Sequence, residues 1–162
     1  MPKILPIITD PDPILRKTSR PLKVNRIQDP ELQKLCDDME LTMREKDGIG
    51  LAAPQIGHNL RIITVNTKNG AICMLNPEIK KPSWTKEWGE EGCLSVPEVF
   101  GRVRRHKQLV CKYYNRTGKE LEVMAKGLMA RVIQHEVDHL NGILFTDIAK
   151  NIKKYDKNNQ QT

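Results

Sequence analysis

Two histidines four residues apart, His135 and His139, stand in the run Gln134-His135-Glu136-Val137-Asp138-His139. On an α-helix such positions lie one turn apart on the same face. Their imidazoles can then hold one metal ion while Glu136, directly after the first, reaches a water on that ion. The surroundings favour a helix. Leu128, Met129, Val132, Ile133, Val137 and Leu140 recur at helical spacing, as in an amphipathic helix packed on a core. Asn141-Gly142 then supplies a stop. The constraint on the fold follows: whatever packs on this helix must leave its histidines at the edge of the core, partly shielded from water. Taken alone, the residues also suit a surface helix whose imidazoles are merely solvated.

A catalytic metal site usually takes three protein ligands and keeps one position for water. Of the four cysteines, Cys36 falls on a predicted helix, and Cys73 and Cys111 fall in apolar strand-like runs. A thiol in such places is usually a small buried hydrophobe. Cys93 differs. It sits in Glu90-Glu91-Gly92-Cys93-Leu94-Ser95-Val96-Pro97, bracketed by Gly92 and Pro97, as at a turn or strand end.

Three segments, Gly48-Ile49-Gly50-Leu51-Ala52-Ala53-Pro54-Gln55, Glu91-Gly92-Cys93-Leu94-Ser95 and the histidine run, resemble in order and spacing the three motifs of the peptide deformylase family. The opening Pro11-Asp12-Pro13-Ile14-Leu15-Arg16 resembles that family's start, and the resemblance extends to about Asp147. It implies that Cys93, His135 and His139 hold the metal, with water as the fourth ligand. Glu136 would take the proton from that water and pass it to the departing amine. The side-chain amide of Gln55 and the backbone N–H of Leu94 would donate to the formyl oxygen. Gly50 and Leu51 would leave room for an extended peptide, and Leu128 and Val132 would wall an apolar pocket for methionine. The reaction implied is hydrolysis of the N-formyl group from formyl-methionyl nascent peptides, with release of formate. The implied native metal is Fe(II), with Zn, Ni or Co able to take the site, since a Cys-His-His set suits several metals. Asp138 reads as a supporting residue.

Three positions depart from the family's pattern. Arg131, one turn before His135, stands where a small or apolar residue is usual, and would either snorkel outward on a packed stem or narrow the pocket. Gly89 stands where a larger apolar residue is common, and Phe100 where some relatives carry a substrate-contacting arginine. They bear on substrate preference rather than on the reaction. A generic metallopeptidase would use the same base and water but lack the cysteine and the Gln55 motif.

A chain of 162 residues suits one domain, here 1–162, with a polar tail at about 156–162. It can bury roughly 70% of its unfolded surface. The cysteines show no CxxC pair, against a disulfide framework or a zinc ribbon, and a reducing cytoplasm fits them. The apolar start is too short for a signal peptide, and no segment is apolar for long enough to span a membrane. The net charge of +7 suits either solubility alone or attraction to ribosomal RNA near the exit tunnel. Basic residues cluster at 102–107 and 150–154 without the interleaved aromatics of single-strand binders, which argues against specific DNA readout.

The element pattern begins with a helix over 30–46, with Asp29 as its cap, Pro30 in its first turn, and a stripe of Leu32, Leu35, Met39 and Met43. Strands are predicted at 61–65, 71–77, 83–90, 103–114 and 120–125, with a hairpin turn at 115–118. The histidine helix follows, then a short helix at about 146–155. This order predicts an α+β domain, mainly antiparallel sheets packed around the central helix carrying HExxH.

Overall fold

The structure, a computed structural model, describes residues 1–155; the polar tail expected at 156–162 lies outside the described residues. Two helices and eight strands make an α+β fold. The chain runs α1 (Pro30–Glu45), β1 (Gly50–Ala52), β2 (Ile62–Thr67), β3 (Gly70–Lys80), β4 (Lys86–Cys93), β5 (Val96–His106), β6 (Gln108–Tyr114), β7 (Glu120–Lys126), α2 (Gly127–Leu140) and β8 (Lys150–Lys154). One sheet has the order β1-β2-β3-β6-β7 and the other β4-β5-β8, and all pairings are antiparallel.

Strand alternation divides the core in two. In β2 and β3, Ile63, Val65 and Met74 face α2, where they join Leu109, Ile133, Val137 and Leu140. The intervening Ile62, Cys73 and Leu75 face α1, where they meet Leu35, Met39 and Met43. The five-stranded sheet is thus covered by a helix on each face. The smaller sheet lies against the other side of α2, where Gln134 binds both backbone groups of His106: Nε2 donates to its carbonyl at 3.0 Å and Oε1 accepts from its N–H at 3.0 Å.

Local chemistry accounts for the helices. Pro30 occupies the first turn of α1, where its missing N–H is no loss. Asp29 stands at the N-cap, but its carboxylate pairs with Arg26 instead of capping a helix N–H. The buried Asp38 and Thr42 of α1 accept from the backbone N–H groups of Lys3 and Leu5 at 2.7 and 2.9 Å, which ties down the first segment of the chain.

Two expectations are corrected. The single strand predicted over 103–114 is two strands in different sheets, separated at Lys107. The alternation runs on through the break, so periodicity could not reveal it. Second, 146–155 is not a helix. A 3₁₀ turn at Phe145–Asp147 is followed by β8, which pairs along the edge of β5 that β4 does not use. Asn151 has φ +53°, outside helical geometry, and pairing β5 satisfies backbone groups that an edge would otherwise expose.

The α2 core gives a direct test. Ile133 is fully buried against the five-stranded sheet. Its replacement by alanine is expected to destabilise the fold by about 2–5 kcal/mol, measured by urea unfolding; a loss within experimental scatter would show that α2 is not the packed centre described.

Candidate active site

The apolar stripe that anchors α2 also fixes where its polar residues point. His135, Glu136 and His139 are all buried, on the side of α2 that meets the end of β4. There Cys93, the last residue of β4, brings its Sγ to 3.3 Å from Nε2 of His139. Ligand atoms of Cys93, His135 and His139 all lie within 4.8 Å of one another. The structure therefore brings together the three residues expected as ligands. Asp138 is not among them: its carboxylate accepts from Nη1 of Arg105 at 2.6 Å.

Glu91 organises this centre. Its Oε1 accepts from Nδ1 of His135 at 2.8 Å. Arg105 donates to both its oxygens, at 3.0 and 2.9 Å, and Arg131 donates to Oε2 at 2.8 Å. Burial alone would raise the carboxyl pKa, but the His135 and Arg105 hydrogen bonds outweigh it and hold the value at about 2. Burial likewise opposes protonation of His135, yet its hydrogen bonds with Cys93 and Glu91 lift it to about 10. Positive charge is thus strongly favoured between His135 and Cys93. Burial and the neighbouring His135 push His139 the other way, well below the usual histidine range, so its imidazole is the neutral form that binds metals. Burial raises Glu136 to about 7, and its Oε2 has no hydrogen-bond partner among the described residues.

A thiol, two imidazoles and an unpartnered buried carboxylate fit a divalent cation. The ion would take the place where the protein already stabilises positive charge, in competition with protons. Softer thiolate and imidazole donors suit transition metals over calcium or magnesium.

Gln55 comes from the 3₁₀ turn after β1. Its Oε1 accepts from the N–H of Ala52 at 2.9 Å, and its Nε2 donates to Ser95 Oγ at 3.2 Å and toward Cys93 Sγ at 3.5 Å. The amide is thereby locked with its donor side toward the thiol. Leu94 follows Cys93 at the β4–β5 turn. Gly50, Leu128 and Val132 line a cavity of about 720 Å³ that also holds Gln55, Cys93 and Glu136. Gly50 has to lack a side chain: a Cβ there would meet Oε1 of Glu136 at 2.5 Å and Val132 at 2.8 Å. Leu51 follows Gly50 on β1. Its side chain is fully buried on the α1 side, because strand alternation turns it from the cavity, and only its backbone runs along edge strand β1.

Arg131 and Gly89, singly unusual in the sequence, fit each other. The Arg131 guanidinium also donates to the carbonyls of Val103 and Glu87 at 2.9 and 3.0 Å. It lies where a Cβ on Gly89 would sit 2.7 Å from its central carbon. The arginine therefore neither snorkels freely nor points across the pocket; it is clamped against β4. Phe100 lines the cavity with Tyr155, ring centroids 5.4 Å apart. Tyr155 went unnoticed in the sequence because a helix was expected there. Arg105 was hidden in a basic cluster, although period-2 alternation turns it inward from Arg102 and Arg104.

A fold of two antiparallel sheets around a helix with this donor set defines a metal-dependent hydrolase, and comparison with known proteins gives the family. The model of the family described as polypeptide deformylase matches residues 4–155. A peptide deformylase of Syntrophobacter fumaroxidans is 49% identical over 149 residues, covering 89% of this chain and 85% of the relative. The crystal structure of a peptide deformylase from Thermotoga maritima is 41% identical with a TM-score of 0.86, covering 91% of this chain and 98% of that one. A Met-Ala-Ser-bound class I type b peptide deformylase from Acinetobacter baumannii is 40% identical with a TM-score of 0.85, covering 89% and 98%. The chain belongs to the peptide deformylase family. It is a metal-dependent hydrolase that removes the N-formyl group from the formyl-methionine of nascent polypeptides.

The Gly89–Arg131 fit is testable by a double-mutant cycle. Gly89→Ala is expected to cost about 1–3 kcal/mol through overpacking. Combined with Arg131→Met it should cost less than the sum of the two, by at least about 0.5 kcal/mol. Additive losses in urea unfolding would refute the contact.

Proposed function

We propose that Cys93, His135 and His139 hold the catalytic metal and that Glu136 is the acid–base residue of deformylation. The observation that carries this reading is the convergence of the three donors within 4.8 Å beside a buried carboxylate with an unpartnered oxygen. When bound, a divalent metal lowers the pKa of a coordinated water to roughly 7 and so supplies hydroxide near neutral pH. Glu136 takes the proton from the attacking water, holds it in a site where burial already favours the neutral carboxyl, and delivers it to the departing amine. Gln55 Nε2 and the backbone N–H of Leu94 donate to the oxygen of the formyl group as its negative charge develops. One such donor is typically worth about 10²–10³ in rate.

The substrate lies extended along β1, the outermost strand of its sheet, with Gly50 providing space and the backbone of Leu51 providing hydrogen-bonding groups. The methionine side chain enters between Leu128 and Val132. The clamped Arg131 closes this wall with its stem.

Fe(II) is the native metal in this reading, and Zn, Ni or Co can replace it, because one thiolate and two imidazoles bind all four. The catalytic domain comprises residues 1–162, of which the family match covers 4–155. The enzyme works in the cytoplasm, close to the ribosomal exit tunnel where formylated peptides emerge. A reducing compartment keeps Cys93 from oxidation, and among the described residues no helix is long and apolar enough to cross a membrane. The positive net charge of +7 supports approach to ribosomal RNA without sequence-specific recognition of DNA.

Two substitutions separate the roles. Glu136→Ala is expected to retain one equivalent of metal while formate release from formyl-Met-Ala-Ser falls by at least about 10²-fold. Cys93→Ser should instead lose metal. Surviving turnover in the first variant, or unchanged metal content in the second, would overturn the assignment concerned.

A further inference from the structure

The two tryptophans of the chain contribute little to its core. Trp84, in the loop leading into β4, is fully exposed, and Trp88 on β4 is 40% exposed. Large aromatic surface left in water usually marks an interaction site.

The second sheet shows what surrounds them. Its inner face is made by Glu91, Val103 and Arg105, all buried against α2. Alternation therefore turns Lys86, Trp88, Arg102 and Arg104 outward, and all four are exposed. The register sets Trp88 opposite Arg104, Arg102 opposite Lys150, and Phe100 opposite Lys153. Lys150 places its Nζ 5.3 Å from the centre of the Trp88 ring, a cation–π contact. The outward rows also carry an acid, Glu90, opposite Arg102. Among the described residues, the ion pairs of the structure do not involve Lys86, Arg102, Arg104 or Lys153. The sequence separates its aromatics from its basic clusters; strand pairing interleaves them. The resulting stripe ends at Phe100 and Tyr155, which line the substrate cavity.

We propose that the outward face of the β4–β5–β8 sheet binds the sugar-phosphate backbone of RNA, with the two indoles stacking on exposed bases. Guanidinium and ammonium groups with no ion-pair partner among the described residues suit phosphates, and aromatic faces between them suit bases of any sequence. The inference rests on the reading that the substrate is met at the ribosome, and it adds the surface that would dock there and its orientation, with the cavity mouth at one end. It requires no base-specific contact.

Trp88 lies on this face and Trp84 in the loop leading into it, so tryptophan fluorescence is a direct readout. Oligouridylate titrated into the metal-loaded enzyme at low salt is expected to quench that emission, with an affinity that falls as salt rises. The double charge reversal R102E/R104E should weaken binding about tenfold or more and reduce the log–log salt slope by roughly 1.4, or about 0.7 per lost phosphate contact on a single strand. Trp84→Ala should weaken binding with the salt slope retained. Formate release from formyl-Met-Ala-Ser should be unchanged in both variants, so failure of RNA binding and failure of the deformylase assignment are read separately. Absence of quenching in the unaltered protein, or affinity indifferent to R102E/R104E, would overturn the proposal. So would binding to phosphatidylglycerol vesicles without binding to RNA.

Discussion

The buried carboxylate of Glu91 is the interaction on which the site depends. A lone carboxylate at 7% exposure would carry a large desolvation cost. Here it accepts from Arg105, Arg131 and His135, one group from β5 and two from α2, while Glu91 itself belongs to β4. These hydrogen bonds join the smaller sheet to the central helix where the histidines emerge. The ensemble need not stabilise the fold more than apolar residues would. Removing one member, however, leaves an unmatched buried charge, typically a loss of about 3–5 kcal/mol. Its value is geometric. With Nδ1 of His135 committed to Glu91, Nε2 is left as the nitrogen facing Cys93, so the ring's orientation is set before a metal arrives.

The cavity is shaped as much by missing side chains as by present ones. Gly50 admits the Glu136 carboxylate to within contact of the β1 backbone, and Gly89 admits the flat guanidinium of Arg131 against β4. In each case an ionisable group from α2 approaches a strand that a Cβ would hold away. The two strands at the cavity thus come close to the helix beside Glu136 and Arg131. Arg131 shows the consequence: an arginine one turn from His135 serves as a structural strut, its charge spent on Glu91 and two carbonyls.

Much of this was legible in the sequence. Both helices announced themselves by apolar period. Cys93, His135, His139, Glu136 and Gln55 were named together through the motif resemblance, and the structure brings all five to one place. What stayed hidden depended on pairing between distant segments. Nothing local marks Lys107 as the point where one sheet ends and another begins. The exposed residues of β8 carry no strand pattern, and they form a strand because β5 offers an open edge. Arg105 looked like any member of a basic run until β5 fixed which face it occupied. Leu51 was placed beside the peptide from its motif; which of its groups could serve there depends on alternation, which gives its side chain to the α1 core and leaves its backbone on edge strand β1.

The central claim, that Glu91 presets the metal ligands, is tested most directly by Glu91→Gln with metal affinity measured by chelator competition. Glutamine keeps the shape but gives up the charge that holds His135 and the two arginines. The account predicts a fold that survives and an affinity about 10–100-fold weaker. Unchanged affinity in a folded E91Q protein would contradict it and would leave the arrangement of the ligands to the packing of α2 alone.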